Sequence, residues 1–406
     1  MWEEFPAIPT VEWEAAIRGD LEGADYDKKM LWRTDEGITV RPFYRAEDLP
    51  PLAGQTRFAG TWQIATAADI PKDAVRGDRL HEQGATAVQE IGYAFAESRG
   101  ERNIFVFSVG TNYFFEIAKL RAARQLWLRL SSQPLVIWSR TSMADKSLYD
   151  PSANLMRCTS EAMSAIFGGC DYLVIEPARF PEHLGRSLGR ILREESHFEE
   201  VSDPGGGSYY IESLTASIAA EARKVYESGF EGRDAAITAA RAAKEKAVAQ
   251  RKVTLVGVNN YPDLKETLPS DAALPAASWR MAAPFEKIRL SVEKSGRPPR
   301  VLLLQRGEAK MKMTRANFCL NLFGCAGFEV VNSESLEPAD LVVLCSSDPE
   351  YLAFAEEICK QTKSPVIVAG NPREQIPALR AAGVKDFAYL GMDAVEFLSR
   401  WQEALA

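Results

Sequence analysis

Histidine is scarce in this sequence of 406 residues. The chain contains three, His81, His183 and His197, and none follows residue 200. Because imidazole is the commonest metal-ligating side chain and a frequent general base, few positions could supply either function. His183 and His197 lie too far apart, without a third ligand nearby, for a typical zinc site. We therefore expect no metal centre on this chain.

Other absences narrow the class of protein further. None of the six cysteines forms a CxxC pair, which predicts reduced, buried thiols. No apolar run reaches the roughly 18 residues of a membrane span, and the acidic start Met1-Trp2-Glu3-Glu4 is unlike a signal peptide. The net charge is -8 without a basic block, which argues against nucleic acid or an anionic membrane as partner. We expect a cytoplasmic protein.

What the sequence does contain is a regular alternation of strand and helix patterns. About four strands are predicted before residue 203, and helices are predicted between and around them. Short loops join these segments, which is typical of parallel β/α units. The four strands are predicted near 60–66 (starting from Phe58), 104–109, 135–139 and 171–175, and a shorter strand precedes them at 37–44. The helices are predicted at 11–21, 75–83, 85–97, 113–130 and 211–250, the last with a break at 229–232.

The last hundred residues repeat this alternation as a separate unit. Five prolines between residues 267 and 300 predict an irregular linker before it. The pattern that follows is typical of a flavodoxin-like, doubly wound α/β domain. Its strands are placed at 301–304, 328–331, 341–345, 365–368 and 387–389.

Several motifs are long enough to be specific. Residues 193–196 read REES, 203–210 read DPGGGSYY, 212–215 read ESLT and 252–262 read KVTLVGVNNYP. This succession resembles the coenzyme-B12-dependent methylmalonyl-CoA mutase family. The resemblance implies a TIM-type (β/α) barrel, here shortened by roughly three or four of its eight units, followed by the flavodoxin-like domain. It divides the chain into an arm at 1–50, the shortened barrel at 51–262, the linker at 263–299 and the last domain at 300–406.

The sequence departs from catalytic members of that family at several positions. Their cobalamin domain carries DxHxxG after its first strand, whereas residues 305–310 here read QRGEAK. Their first barrel strand carries an Arg and a Tyr, and residues 60–66 contain neither. Arg140 stands where they have Gln, and their fifth-strand His has no counterpart. Residues 313–331, with RANF and GFEVV, are similar to the family's non-catalytic small subunit.

The resemblance therefore implies a small subunit without catalytic residues or a cofactor of its own. It would stabilise a catalytic large subunit, and adenosylcobalamin on the complex would support isomerisation of methylmalonyl-CoA and succinyl-CoA. Isobutyryl- and ethylmalonyl-CoA stay open as substrates of the complex. The alternative is a homodimeric acyl-CoA-binding protein or mutase whose half-barrels complete each other. In either case a partial barrel has two open sheet edges, and we expect another chain to cover them.

Four residues are weak candidates for CoA contacts by the same resemblance: Arg121, Arg124, Thr141 and Ser142. A solvated or interface helix face is the simpler interpretation of the two arginines. Gly205 to Gly207 could cradle a phosphate, but a tight turn is favoured because the P-loop Lys is missing. Glu194 and Glu195 are favoured as a helix end or salt bridge over an acid/base pair.

Overall fold

The computed structural model describes residues 8–49, 60–269, 272–274 and 279–405. Its first elements are helices α1 (Thr10–Asp20) and α2 (Tyr26–Met30) and a small antiparallel ribbon of β1 (Trp32–Arg33) and β2 (Thr39–Val40). The predicted helix at 11–21 is confirmed. The predicted strand at 37–44 is shorter than expected, because only its residues 39–40 pair with β1.

Five parallel strands follow in the order β3-β7-β6-β5-β4. The predicted helix at 75–83 is wrong at its start, since Val75 and Arg76 pair with Phe105 and Val106 as edge strand β4. The strand predicted from Phe58 is observed only at Gln63–Ala65, and Phe58 lies outside the described residues. The strands are β3 (Gln63–Ala65), β4 (Val75–Arg76), β5 (Ile104–Val109), β6 (Val136–Thr141) and β7 (Tyr172–Val174).

Helices cover one face of this first sheet. Phe105 and Phe107 of β5 pack there against Phe95 and Trp127, with ring centroids 4.8 to 6.3 Å apart. The helices are α3 (Gly77–His81), α4 (Ala87–Ser98), α5 (Tyr113–Leu130), α6 (Pro151–Gly168), α7 (Glu182–Arg190) with a π-helical turn at Ile191–Glu195, α8 (Tyr209–Ser228) and α9 (Arg233–Ala249).

The opposite face of the first sheet has a much thinner cover. Val106, Trp138 and Val174 are buried on it, and Trp138 stacks on Tyr172 with centroids 4.2 Å apart. Their apolar neighbours include Ile70 and Ala74, from the connection between β3 and β4. That connection (residues 66–74) therefore covers a sheet face that parallel sheets normally bury under whole helices.

The second sheet is also five-stranded and parallel, in the order β12-β11-β10-β8-β9. All five predicted strands are confirmed within two residues. The elements are α10 (Ala283–Ser295), β8 (Arg300–Gln305), α11 (Ala309–Gly324), β9 (Glu329–Ser333), β10 (Leu341–Cys345), α12 (Tyr351–Gln361), β11 (Val366–Ala369), α13 (Ile376–Ala381), β12 (Asp386–Ala388) and α14 (Ala394–Ala404).

The irregular course predicted for residues 267–300 is wrong in its second half. Residues 283–295 form α10, and its Phe285, Ile288 and Val292 lie in the same apolar core as β8 and β10. The part of the chain that forms the first sheet and its helices is called the first unit below, and the part that forms the second sheet is called the second unit. Helix α10 also contacts the first unit, because the Leu148 amide donates a hydrogen bond to the Glu286 carboxylate at 2.6 Å. The five prolines of this segment led to the prediction of an irregular linker, although residues 283–295 form a helix whose apolar face is part of this core.

The structure confirms the α/β class. Within the described part of the chain, no helix is both long and apolar enough to cross a membrane.

Candidate functional site

Ligands of parallel sheets bind where the strands end at their carboxyl edge. In the first sheet this edge and the loops above it hold a dense group of buried and partly buried polar side chains, most of them ionisable. We name this group the carboxyl-edge network. Its members are Asp78, His81, Glu82, Glu90, Glu116, Lys119, Arg140, Ser142, Lys146, Glu161 and Glu176.

Lys119 is the centre of one part of the network. Its side chain is fully buried on α5, and its Nζ lies 3.1 Å from Glu90 and 2.6 Å from Glu116. It also donates a hydrogen bond to the Ser108 carbonyl oxygen. Burial raises the pKa of Glu90 to about 7, against the opposing effect of the Lys119 ammonium. All three charges are thus satisfied inside the protein.

His81 and Ser142 form the contact that most resembles catalytic machinery. The Nε2 of His81 lies 2.9 Å from the Ser142 Oγ, and its Nδ1 lies 3.7 Å from Glu90. A serine, a histidine and a carboxylate in this order can activate a nucleophile. Ser142 is 0% exposed, however, and its Oγ accepts a hydrogen bond from the Ala144 amide at 3.1 Å. The hydroxyl thus lies inside the protein, where its contacts with His81 and the Ala144 amide join α3 to the loop after β6.

Two further groups complete the network. Lys146 Nζ lies 2.6 Å from both carboxylate oxygens of Glu161, and both side chains are 0% exposed. Burial raises the pKa of Glu161 to about 8. Arg140 makes ion pairs with Glu176 at 2.5 Å, Glu82 at 2.7 Å and Asp78 at 3.1 Å. Where catalytic relatives were expected to have Gln, this chain therefore has the centre of a salt-bridge group.

The four CoA candidates all have partners within the chain. Arg121 is 2% exposed and pairs with Asp203 and with Glu212, the latter at 2.6 Å. This rules out a solvated helix face for Arg121. Arg124 donates to the Gly169 carbonyl oxygen and pairs with Asp171 at 2.9 Å.

Thr141 and Ser142 lie together at the end of β6. The Thr141 Oγ1 accepts a hydrogen bond from the Glu176 amide at 2.8 Å, and Ser142 contacts His81. The arginine pair instead holds the 203–212 segment and the 169–171 turn. The structure thus does not bring the four residues into one site, and their role toward CoA stays a prediction.

The remaining weak candidates have structural surroundings. Gly205 to Gly207 lie in a turn before α8, and Gly207 has φ +82°. Glu194 lies in the π-helical turn and pairs with Arg193 at 2.8 Å. His197 is exposed and pairs with Glu200 at 3.2 Å. Among the described residues no cluster of His, Cys, Asp and Glu could hold a metal ion.

The second sheet has its own candidate crevice, where the order of strands reverses beside β8 and β10. The Glu350 carboxylate lies at this position, beside Gly307. Glu350 accepts hydrogen bonds from Ser346 Oγ at 2.5 Å and Ser347 Oγ at 2.7 Å. It presses so closely on Gly307 that a Cβ there would overlap it. Arg315 pairs with Asp348 at 3.0 Å on the same side.

Comparison with known proteins agrees with this architecture. A family model described as methylmalonyl-CoA mutase matches residues 59–289, more than half of the chain. The chain belongs to the methylmalonyl-CoA mutase family. The small subunit of methylmalonyl-CoA mutase from Porphyromonas gingivalis is 26% identical over 607 aligned positions, covering 99% of this chain and 98% of that protein. The small subunit from Streptomyces virginiae is 29% identical, with 95% and 70% covered. The methylmalonyl-CoA mutase of Rhizobium meliloti is 32% identical over 60% of this chain and 41% of that protein.

The alignment length shows how this family member differs from a longer relative. The 607 positions shared with the Porphyromonas protein exceed the 406 residues of this chain, so about 200 of them have no residue here. The recognition of the family and of its small-subunit similarity from sequence motifs is confirmed. The buried charges of the carboxyl-edge network were not foreseen. Their signal was the placement of Glu90 and Lys119 among apolar neighbours on α4 and α5.

The buried His81 predicts a measurable loss of stability in acid. Burial, reinforced by the ammonium groups of Lys244, Lys119 and Lys146, lowers its pKa well below the usual value. The folded state therefore favours the neutral imidazole. The contribution of His81 to the free energy of unfolding is present above about pH 6.5 and is lost as the pH falls below that value, by up to about 1.4 kcal/mol per pH unit. Between pH 7.5 and pH 5.5, the free energy of unfolding measured with urea should fall by about 1 kcal/mol more in the parent chain than in the His81→Gln variant.

Two details make the acid test specific. The Gln side chain can still donate to Ser142, so the variant keeps the contact but removes the titration. His183→Gln, at an exposed position of α7, is the matched control and should follow the parent chain. Equal losses in the parent chain and His81→Gln would show that another group carries the acid sensitivity.

Proposed function

We propose that this chain is the non-catalytic small subunit of a B12-dependent mutase that interconverts methylmalonyl-CoA and succinyl-CoA. In this proposal the first unit is a shortened TIM-type barrel. The pairing of its first strand with its last, Ile64 of β3 beside Leu173 of β7, supports this, because a barrel closes through such a pair. The second unit is a flavodoxin-like domain of degenerate cobalamin type, which the strand order 2-1-3-4-5 supports.

The observation that carries the proposal is the carboxyl-edge network. An active barrel presents polar groups to a substrate at this edge of the sheet. Here Lys119, Lys146 and Arg140 are instead engaged by carboxylates of the same chain. Breaking such pairs to admit an acyl-CoA would leave buried charges without partners, at a cost of about 3–5 kcal/mol each. We infer that the edge stabilises the fold instead of binding substrate.

Adenosylcobalamin does not fit the second unit of this chain. The end of β8 and the loop after it (residues 305–310) contain no imidazole, which the resemblance requires, and the Glu350 carboxylate lies against Gly307. A corrin entering there would have to displace that carboxylate from the Ser346 and Ser347 hydroxyls. We assign the cofactor of the complex to the partner chain.

A partner chain is supported by the surface of the first unit. Helix α1 buries none of its residues against the described part of the chain, although Val11 is apolar and 78% exposed. Helices in proteins are stabilised mainly by tertiary packing, and the described residues give α1 little of it. Within the described sheet, the edge strands β3 and β4 also each lack a neighbour on one side. We propose that the large subunit covers the arm and these edges.

Light scattering on the purified chain tests the proposal, first alone and then with adenosylcobalamin and a candidate large subunit. We expect a heterodimer with corrin absorbance on the large chain only. Val11→Asp should weaken the heterodimer at least about tenfold, because the apolar contact of the arm is lost. Leu390→Asp, at an apolar position that is 80% exposed outside the arm, is the matched control.

Two results would contradict the subunit proposal. A homodimer that binds corrin or an acyl-CoA by itself would favour the alternative, in which two half-barrels complete each other. A stable, monodisperse monomer that does not bind the large subunit would contradict both the heterodimer and the homodimer, since the open sheet edges would then need no partner.

A further inference from the structure

A groove of about 600 Å³ runs beside the free edge of strand β4. It lies where a closed barrel would continue with its next unit, so the shortening of the barrel exposes it. Its volume is within the range of about 300–1,000 Å³ typical of small-molecule sites. The lining residues are Ala67, Ile70, Pro71, Lys72, Ala74, Arg76, Arg79, Leu80, Gln83, Glu97, Arg102 and Arg233.

The groove is strongly basic in a chain whose net charge is -8. Five of its side chains are cationic and one, Glu97, is a carboxylate. Arg76, Arg102 and Arg233 have carboxylate partners, at 2.5, 3.2 and 3.0 Å. Lys72 and Arg79 are exposed and have no ion pair or side-chain hydrogen bond to any described residue. The groove therefore has an excess of positive charge that the described residues do not neutralise.

A larger cleft between α9, α10 and α14, about 1090 Å³, does not share this property. Its lining has three cationic side chains (Arg241, Arg280 and Lys287) and three carboxylates (Glu82, Glu245 and Glu403). The excess of cations over carboxylates thus distinguishes the smaller groove from this cleft.

The rest of the lining narrows the chemistry of a ligand. Ile70, Pro71 and Leu80 give the groove an apolar part beside the cations. Arginine and lysine together suit phosphate oxygens, arginine through its planar fork and lysine as a point charge. A molecule that joins a phosphate chain to a planar or apolar group would contact both parts.

We propose that this groove binds a small phosphate compound with several negative charges, such as a nucleoside diphosphate, held by Lys72 and Arg79. The site uses no residue of the carboxyl-edge network. The subunit proposal places the large subunit over the β4 edge, so the groove is open in the chain without its partner, and the test uses the chain alone. Charged side chains can also serve only to keep a free sheet edge from pairing with other chains. That simpler role predicts no ligand.

Isothermal titration calorimetry of the full chain at about 0.1 M salt distinguishes these roles. The probes are inorganic pyrophosphate, ADP, citrate as a carboxylate polyanion, and a polyglutamate peptide as an acidic protein segment. We expect saturable binding of pyrophosphate and ADP, and ADP should bind more tightly if its base contacts the apolar part. The double variant Lys72→Gln/Arg79→Gln should weaken both at least about tenfold. Because these side chains are exposed and have no partner among the described residues, the variant should unfold at the parent temperature.

Arg190→Gln is the matched control, since Arg190 lies beside the other free edge, at β3, and likewise has no partner among the described residues. Binding that survives in this control within about twofold would support a defined site. Four results would overturn the proposal: no saturable binding, an equal loss in the control, citrate binding as tightly as pyrophosphate, or preferential binding of polyglutamate. The last would make the groove a docking surface for an acidic protein segment.

Discussion

Replacing Lys119 with methionine should lower the free energy of unfolding by about 3–5 kcal/mol. Lys119 Nζ lies between Glu90 and Glu116, and the Lys119 and Glu90 side chains are fully buried. Methionine fills a similar volume, so the loss reports the two carboxylates left without a cation and not a cavity. The loss should grow above about pH 7, where Glu90 ionises even beside the lysine. Urea unfolding at pH 6.5 and 8.5 measures both effects.

Two controls separate buried charge from other causes. Lys224→Met breaks an exposed pair with Glu221 at 2.6 Å and should cost less than about 1 kcal/mol. The triple variant Lys119→Met/Glu90→Leu/Glu116→Leu removes the whole group, and we expect it to recover most of the loss. If Lys119→Met alone cost less than about 1 kcal/mol, the carboxylates would be neutral or hydrated in the folded state.

The second large effect is expected from Gly185→Ala on α7. A Cβ at this position would overlap the carbonyl oxygen of Ile175 and lie 3.3 Å from the Pro177 Cδ. Both belong to the segment that follows β7, so the helix has to move away from the sheet. We expect a loss of about 2–3 kcal/mol, despite the higher helix propensity of alanine. Thermal and urea unfolding measure it.

Gly19→Ala gives the matched helical control, because no atom lies within 4 Å of the position that a Cβ would take at Gly19 of α1. That variant should be neutral or more stable by up to about 1 kcal/mol. At Gly189, in the same helix as Gly185, the nearest atoms to a Cβ belong to the flexible Ile64 side chain, at 3.2 Å and beyond, so Gly189→Ala should fall between the two. Equal stability of all three variants would mean that α7 does not pack as closely on the sheet as the structure shows.

The elements that the sequence predicted best are those that their own residues determine. Strand 104–109 and strand 341–345 are continuous apolar runs, and residues 113–130 are a long segment without glycine or proline, so all three are found at their predicted bounds. Strand β4 was missed because two residues leave no periodicity, and its conformation depends on pairing with β5. Helix α10 was missed because neighbouring prolines dominated the pattern around it.

From the sequence, only the residues that the candidate site lacks could be predicted, compared with catalytic members of the family. The missing imidazole after β8 and the replacement of Gln by Arg140 could be identified from motif positions. What fills the space instead could not, because Arg140 meets Asp78 and Glu82 from a distant part of the sequence. Ion pairs between such separate segments leave no local spacing in the chain. The same holds for Glu350, whose contact with Gly307 exists only after the second sheet has formed.

The pairing of β3 with β7 also sets an order for the folding of this chain. Gln63, Ile64 and Ala65 find their partners at residues 172–174, so about 100 residues are synthesised between the two strands. Closing a loop of that length has an entropic cost before any contact repays it, whereas β5, β6 and their helices connect near neighbours. We therefore expect β3 to join the sheet last, after the ribosome has synthesised β7.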